Sequence, residues 1–442
     1  RLRFTPPAPP ESGKEKGGGE WRQVNAGMDG EVPFICVDLS ALPSAEQGPA
    51  IEAAAAEAQT SLNLTTGPLL QVVYFDLGAG QPGRLLIVIH HLAVDGVSWR
   101  ILLEDLQMAY HQLSRGEAVQ LPPKTTSFQQ WARRLVEYAQ TEAVRRELDY
   151  WLGILAPDRS RTRLEQGSLS AEHRMAHLPV DYPGGENTEA SARTVAVSLS
   201  AEETQALLQE VPAAYRTEIN DVLLTALAQA MARWTGSRAL LVELEGHGRE
   251  PIFDDVDLTR TVGWFTVAFP VVLDLKNADG PGEALKAVKE QLRRVPHRGL
   301  GYGLLRYLCQ DEEVTKQLQA LPQPEIGFNY MGQLDQALPG GSPFGPARES
   351  RGPDRSPQGR RNHLLDISGS IAGGQLRLEW IYSENLYRRA TVEQMAQDFL
   401  EALRAIIAHC RSPEAGDVTP SDFPLAGLDQ KKLKKVLAKL KK

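Results

Sequence analysis

Hydrophobic and polar positions change their period most clearly between residues 85 and 113 of this chain. Leu85 to Ile89 is a continuous apolar run rich in β-branched side chains, which is typical of a strand buried on both faces. From Val97 to Leu113 the apolar residues recur at helical spacing instead. The pattern predicts a strand and a helix joined by residues 90–96, HHLAVDG, whose Asp-Gly pair has turn chemistry.

The first part of the chain mixes predicted strands and helices. Residues 6–20 are mostly Pro, Gly and charged residues that cannot pack a core, so they are predicted to form a loop. The predicted strands are Arg1 to Phe4, Val32 to Leu39, Leu69 to Asp76 and Leu85 to Ile89. The predicted helices are Ser44 to Leu62, Val97 to Leu113 and a long helical region from Thr126 to Leu155.

A polar stretch from Ala156 to Thr194 marks the predicted boundary between two lobes. Beyond it, Ser200 followed three residues later by Glu203 is a capping signature for a helix over Ser198 to Val211. The further predicted helices are Asn220 to Trp234, Pro281 to Val295 and Thr391 to Cys410. The further predicted strands are Ala239 to Leu244, Phe269 to Leu275, Glu325 to Asn329, His363 to Ile371 and Gln375 to Tyr382.

These elements predict an α/β (α+β) fold of two lobes, in which each lobe is a mixed sheet with flanking helices. We expect the lobes at residues 1–165 and 166–425, followed by a tail at residues 426–442. The length of 442 residues agrees, because one hydrophobic core rarely serves so long a chain. Apolar residues make up 42% of the chain and charged residues 24%, as in ordinary globular proteins.

Several classes of protein are excluded by simple features of the sequence. No run of eighteen apolar residues could span a membrane, and the N-terminal segment is no signal peptide. The cysteines Cys36, Cys309 and Cys410 are widely scattered, which excludes a disulfide framework and offers no metal-ligand spacing. We therefore expect a cytoplasmic protein without a bound metal.

The net charge of −8 is unevenly distributed. The last twelve residues hold seven lysines and no acid, so the rest of the chain carries about −15. An acidic body binds nucleic acid poorly, and we expect no nucleic-acid partner. Leu425 to Lys442 has leucines and a valine at near-helical spacing, which fits either a basic amphipathic helix or a solvated tail.

The chain starts at Arg1 without an initiator methionine, and Leu2 to Phe4 already has the pattern of a strand. We expect it to be a piece of a longer protein.

The histidine pair at the end of the predicted strand Leu85 to Ile89 is the leading candidate for chemistry. A histidine held at a strand end can take or give a proton near neutral pH. Because side chains alternate along a strand, His90 and His91 point to opposite sides, and only one can face a given cleft. The alternative is that both are satisfied core residues. Asp95 lies too close along the turn to be an independent base and is expected to pair with an arginine and brace the loop next to Gly96.

Two later segments carry further candidates. Glu245 follows a predicted strand and precedes Gly246, so its carboxylate is either unhindered for chemistry or an ordinary surface acid. Arg260 either holds its loop through a salt bridge or tunes nearby carboxylates. For Trp264 and Phe265, packing in the core is favoured over contact with a substrate.

Asn329 and Tyr330 end an apolar strand, where polar groups either cap the backbone or meet a ligand. Spacing alone does not separate these two roles.

Five motifs together resemble a known family. The segment HHLAVDGVSW, residues 90–99, resembles the HHxxxDG signature of the condensation superfamily of nonribosomal peptide synthetases. The epimerization domains of that superfamily have hallmarks similar to four other segments, in the same order and over most of the chain. These are EGHGRE at 245–250, DLTRTVGWFTVAFPV at 257–271, PHRGLGYG at 296–303 and IGFNYMGQLD at 326–335.

The resemblance implies a fold of two chloramphenicol-acetyltransferase-like lobes in a V-shaped pseudo-dimer, with the histidine loop at a cleft. It implies that His91 is the catalytic histidine and Glu245 the opposing acid or base. Asp95 would be structural and paired with an arginine on an early strand, where Arg1 falls, although the family's first helix-and-strand segment is missing here.

The remaining candidates are expected to support the active site. Asn329 and Tyr330 would face it, and His90, Gly96 and Arg260 would lie around it.

The implied activity is epimerization at the Cα of an aminoacyl or peptidyl thioester by acid–base proton transfer, giving a D/L mixture. The domain would bind no cofactor itself, because the 4′-phosphopantetheine arm belongs to an upstream peptidyl carrier protein. The lysine-rich tail would dock a downstream synthetase, and the domain would be a monomeric piece of a module.

Two rival functions differ in kind. A condensation domain shares HHxxxDG but forms a peptide bond between two carrier-bound substrates, and EGHGRE and FNYMGQLD argue against it. A non-catalytic recruitment platform of the same fold has no need of both His91 and Glu245, and both are present.

Overall fold

A computed structural model describes residues 2–7, 21–27, 32–155, 177–333, 342–413, 415–426 and 430–440. The chain divides into two compact units, each assembled from three segments. The first unit contains Arg1–Phe128, Asp257–Trp264 and Leu338–Ser356, and the second contains Gln129–Val256, Phe265–Ala337 and Pro357–Lys442. The predicted boundary at residue 165 falls among residues that lie outside the described part of the chain, so it stays a prediction.

The first unit is a small mixed α/β structure. Its strands are β1 (Leu2–Thr5), β2 (Arg22–Asn25), β3 (Phe34–Asp38), β4 (Leu70–Asp76) and β5 (Arg84–Ile89), and its helices are α1 (Ser44–Thr60) and α2 (Gly96–Ser114). Strand β4 pairs in parallel with β3 and antiparallel with β5, while β1 and β2 form a separate antiparallel pair. Apolar residues from α1 and this sheet, with Phe75 fully buried, form the core.

The second unit is built on one mixed sheet. Its strands are β6 (Ala192–Ser198), β7 (Ala239–Gly246), β8 (Val267–Asp274), β9 (Ile326–Gln333), β10 (Leu365–Ala372) and β11 (Gln375–Ser383). They lie in the order β6-β11-β10-β9-β7-β8, in which β9 is parallel to both of its neighbours, β7 and β10.

The second unit also contains the helices of the later part of the chain. They are α3 (Phe128–Tyr138, whose first residue belongs to the first unit), α4 (Glu142–Arg145), α5 (Leu148–Leu155), α6 (Ala201–Tyr215), α7 (Ile219–Thr235), α8 (Pro281–Arg293), α9 (Leu300–Gly303), α10 (Glu312–Gln319), α11 (Arg389–Cys410) and α12 (Gln430–Leu440). Helix α7 is strongly apolar, as its sequence predicts, and ten of its seventeen residues are buried. Trp380 of β11 packs edge-on against Phe399 of α11, and both are fully buried.

The mixed α/β class is confirmed, and so are most strongly periodic elements. The capping signature at Ser200 is present in both directions: the Glu203 amide donates to the Ser200 hydroxyl, and the Ser200 amide donates to the Glu203 carboxylate. The helix that it starts, α6, begins at Ala201.

The structure corrects the prediction at several weakly periodic places. The helical region from Thr126 to Leu155 is three helices, α3, α4 and α5, because the chain turns at Ala139 to Thr141 and again at Arg146. Strands β2 and β6 and helix α10 were not predicted. Helix α10 does carry a start signal, because the Asp311 carboxylate accepts hydrogen bonds from the amides of Glu313 and Val314.

Candidate functional site

His90 closes the turn that follows β5. The strand ends at Ile89, and His91–Ala93 form one short 3₁₀ turn. The Nδ1 atom of His90 accepts a hydrogen bond of 3.2 Å from the amide of Leu92. Burial, together with the neighbouring His91, lowers the pKa of His90, which keeps its imidazole neutral and able to accept. His90 therefore shapes the backbone of the loop.

His91 is exposed, and its ring lies against an indole. The ring centroids of His91 and Trp264 are 5.4 Å apart, with the planes tilted by 60°. Trp264 itself is 42% exposed, so the expectation that it packs in the core is wrong. The first unit thus presents an accessible imidazole with an aromatic wall beside it.

Asp95 and Gly96 start helix α2. Asp95 is almost fully buried, and its Oδ1 atom accepts a hydrogen bond of 2.7 Å from the Ser98 amide, so it caps the helix. This supports the structural role predicted for Asp95, because the cap fixes the point where the histidine loop ends. Arg1, its predicted partner, lies outside the described residues.

Two further contacts fasten α2 to residues 257–264. Ser98 is fully buried, and its hydroxyl donates to the Gly263 carbonyl at 3.0 Å and accepts from the Gly263 amide at 3.1 Å. Arg260 forms ion pairs with Glu104, at 3.1 Å, and with Asp105. The salt bridge considered for Arg260 is therefore present, and the residue holds its loop.

Ser98 was missed by the sequence analysis, although a signal was available. Ser98, Ile101 and Asp105 recur at helical spacing on α2, and Ser98 and Ile101 are its buried residues. A serine on the buried face of a helix needs a hydrogen-bond partner, and this one finds it in the backbone of Gly263. The two hydrogen bonds between Ser98 and Gly263 also tie the backbone next to Trp264 to α2.

In the second unit, Glu245 is held by Asn329. The parallel strands β7 and β9 pair Glu243 with Gly327 and Leu244 with Phe328. The next residues along, Glu245 and Asn329, are therefore neighbours, and the Asn329 amide donates to the Glu245 carboxylate at 2.6 Å. Glu245 is exposed, so its carboxylate is both accessible and oriented. A donated hydrogen bond favours the ionised form of a carboxylate.

The loop after Glu245 is packed tightly on Phe265. Gly248 has a φ of +67°, and a Cβ built on it would lie 1.7 Å from the Phe265 carbonyl oxygen, so only glycine fits. The guanidinium of Arg249 lies 4.0 Å from the centroid of the Phe265 ring. Phe265 is 4% exposed, which confirms that it packs in the core.

Tyr330 lies on the other face of β9 from Asn329. Phe328 is buried and Asn329 is not, so alternation places Tyr330 on the side of Phe328. A Cβ built on Gly369 of β10 would lie 3.4 Å from the Tyr330 ring, and burial raises the pKa of the Tyr330 hydroxyl. The structure brings Glu245 and Asn329 together and leaves Tyr330 apart from them, so its place in the active site stays a prediction.

A second group of polar residues beside Glu245 was also missed. His363 contacts Glu243 through Nε2 at 3.2 Å and Asp366 through Nδ1 at 2.8 Å. Burial lowers the pKa of His363, but the hydrogen bonds and charges of Asp366 and Glu243 outweigh it and raise the pKa to about 9. Asp366 is held in turn by Arg361, at 2.7 Å.

The described residues contain no group of three or more His, Cys, Asp or Glu side chains that could hold a metal ion. Among the same residues, no helix is long and apolar enough to cross a membrane.

The sequence model of the condensation-domain family matches residues 13–426 of this chain. A linear gramicidin synthase protein of Brevibacillus parabrevis is 53% identical over 420 residues, which are 94% of this chain and 5% of that protein. Tyrocidine synthase 1 of Brevibacillus parabrevis is 38% identical over 93% of this chain and 37% of its own length. The chain therefore corresponds to a small part of the curated relatives that it matches.

Solved structures show the same fold. The epimerization domain from the third module of tyrocidine synthetase B is 36% identical, with a TM-score of 0.80 over 93% of this chain and 85% of that one. The first condensation domain of the calcium-dependent antibiotic synthetase is 18% identical, with a TM-score of 0.61 over 94% and 86% of the two chains. The second likeness supports the fold alone.

We predict that Ser98→Ala destabilises the first unit. The substitution leaves the amide and the carbonyl of Gly263 without their buried partner, so we expect the free energy of unfolding to fall by about 1–3 kcal/mol. Urea unfolding followed by circular dichroism measures this change. The matched control is Ser114→Ala at the exposed end of the same helix, which we expect to change stability by less than about 0.5 kcal/mol. Equal effects of the two substitutions would contradict a stabilising role for the hydrogen bonds between Ser98 and Gly263.

We predict that His363 makes stability depend on pH. Its pKa in the folded chain is about 9, above the ordinary 6.5, so the proton bound there stabilises the fold. That stabilisation is complete below pH 6.5 and is lost as the pH rises through about 9. His363→Gln should therefore reduce the free energy of unfolding on the order of 2 kcal/mol at about pH 6 and much less at about pH 10.

Urea unfolding at the two pH values measures the effect of His363→Gln. The control is His111→Gln, on an exposed histidine of α2. Its effect on the free energy of unfolding should be the same at both pH values. A loss of stability with His363→Gln that does not change with pH would contradict the prediction.

Proposed function

The chain belongs to the condensation-domain family of nonribosomal peptide synthetases, and we propose that it epimerizes the Cα of a carrier-bound aminoacyl or peptidyl thioester. The observation that carries the proposal is the exposed Glu245 carboxylate, oriented by the amide of Asn329. The similarity to a tyrocidine synthetase epimerization domain, at 36% identity, supports it.

Epimerization needs one group to remove the Cα proton and another to return a proton to the opposite face. A thioester carbonyl lowers the barrier, because it accepts negative charge as an enolate when the proton leaves. A carboxylate is ionised near neutral pH and can accept a proton as a base, and an imidazole can both give and accept a proton there, so the two groups suit these tasks. Glu245 and His91 are exposed residues of these two types.

In the proposed mechanism, one of the pair removes the Cα proton, which passes to that side chain while its electron pair moves into the thioester carbonyl. The other donates a proton to the opposite face of Cα, and the carbonyl reforms. The order of Glu245 and His91 reverses with the handedness of the substrate, because the reaction runs in both directions. The result is a D/L mixture.

The surrounding residues act as supports in this proposal. His90 and Asp95 fix the histidine loop through their contacts to the amides of Leu92 and Ser98. Arg260 fastens the segment that carries Trp264 to helix α2, and the indole limits the positions open to the His91 ring.

The thioester is presented by a peptidyl carrier protein. Its 4′-phosphopantetheine arm belongs to that partner and enters the reaction as part of the substrate. The basic tail forms the helix α12, with Leu433 buried at 3% exposure. Its exposed lysines, Lys432, Lys435 and Lys439, support docking of a downstream synthetase, which we include in the proposal.

A condensation domain is the second candidate, because the model that matches the chain is named for it and the fold is shared. Amide formation requires no exchange of the Cα proton, whereas epimerization does. A non-catalytic platform would give neither product. The three functions therefore differ in a measurable outcome.

We predict that Glu245→Gln and His91→Ala each lower Cα exchange by at least about 100-fold, since positioned acids and bases contribute on that scale. An L-aminoacyl carrier protein is incubated with each variant in deuterated water. The amino acid is then released and examined for deuterium by mass spectrometry and for handedness on a chiral column.

Matched controls are Glu46→Gln and His111→Ala, on exposed side chains outside the proposed site, and both should keep full exchange. Exchange that persists in the Glu245→Gln and His91→Ala double variant would rule out the assignment. An amide product with a second loaded carrier, without exchange, would identify a condensation domain instead.

A further inference from the structure

A row of charged side chains crosses the sheet of the second unit, two residues along β7 from Glu245. Glu243 of β7 contacts His363, which precedes β10, at 3.2 Å, and His363 contacts Asp366 of β10 at 2.8 Å. Arg361, whose side chain is 1% exposed, ends the row by pairing with Asp366 and donating to the Ile381 carbonyl. The charges therefore alternate along the row.

The row exists because Gly327 has no side chain. Gly327 lies between Glu243 and Asp366 in the register of β7, β9 and β10. A Cβ built on it would lie 2.7 Å from Nδ1 of His363 and 2.8 Å from an oxygen of Asp366. The His363 ring occupies this space and so reaches both carboxylates.

Glu245 belongs to the neighbouring row on the same face. Leu240, Val242 and Leu244 are the buried positions of β7, so Glu243 and Glu245 share the opposite face. Residues two apart on a strand are separated by about 7 Å. Glu243 is half-buried and Glu245 is exposed, and at that distance one ionised carboxylate makes the other harder to ionise, by up to about one pH unit.

Two other titratable groups near these rows have partners of their own. Glu379 of β11 lies opposite Ser368, the neighbour of Asn329, and contacts Arg377 at 3.1 Å. Tyr302 has a pKa raised by burial and, less strongly, by the charge of Glu243, and its hydroxyl accepts from Arg306 at 2.6 Å. The imidazole of His363 is the cationic group that contacts Glu243 directly among the contacts of the described residues.

We propose that His363 is a positioning residue for Glu245: its imidazolium neutralises Glu243 and so keeps Glu245 ionised in the range where the proton is exchanged. The inference rests on the proposed function for the role of Glu245, but its electrostatic part does not. The raised pKa of His363 agrees with it, because the ring stays protonated across the range in which carboxylates titrate.

The test is a titration of Glu245 that does not depend on turnover. The whole chain is labelled with ¹³C at glutamate carboxyl groups, and the Glu245 signal is identified by its loss in Glu245→Gln. We expect His363→Gln to move the titration midpoint of that signal to higher pH by about one pH unit. Glu243→Gln should move it to lower pH, and the double variant should return it close to the wild-type value.

The double variant separates electrostatics from packing. If His363 served the fold alone, His363→Gln would lower stability without moving the midpoint, and adding Glu243→Gln would restore nothing. An unmoved midpoint in His363→Gln, or no return in the double variant, overturns the proposal. The control His111→Gln should leave the signal of Glu245 unchanged.

Deuterium exchange on the same variants connects the titration to catalysis. In His363→Gln, we expect the exchange rate to reach half of its maximum at a pH about one pH unit higher than in the wild type. The maximal rate should stay within a few-fold of wild type. Absence of exchange in the wild type, with the midpoint shifts present, would refute the proposed function alone. Exchange in the wild type with unmoved midpoints would refute the role of His363 alone.

Discussion

The parallel register of β7 against β9 determines the surroundings of Glu245. It places Asn329 beside Glu245, where the amide donates at 2.6 Å, and it places Gly327 beside Glu243, where the missing side chain admits His363. A slip of one residue would turn each of these side chains to the opposite face. The hydrogen bond from Asn329 to Glu245 and the contact of His363 with Glu243 thus depend on the same strand register.

The first unit reaches a comparable order by a different route. Its histidine loop is short, and both ends are fixed locally, by His90 at the start and by Asp95 at the start of α2. The aromatic side chain beside His91 comes from far along the chain, since Gly263 is 165 residues from Ser98. A buried serine and one arginine of this unit, Ser98 and Arg260, fasten that segment to α2 through polar contacts.

The elements that could be predicted were those with a strong local pattern of apolar residues or capping groups. Long periodic segments such as α7 and the reciprocal cap at Ser200 were correct, because burial of one face and satisfaction of amides are local requirements. Strand β2 was missed because four exposed residues show no alternation that separates them from a loop. Packing in the core was favoured for Trp264 as an aromatic residue, but the structure leaves its side chain 42% exposed beside His91.

By itself, the sequence determined the class of fold, the motifs of the family and the residues able to exchange protons, since these follow from residue type, spacing and order. Only the tertiary structure decided which of them meet. It joined Glu245 to Asn329, placed Tyr330 on the other face, and set His363 between two carboxylates. The physical reason is that strand register and long-range hydrogen bonds act between residues far apart in the chain, where no local pattern records the partner.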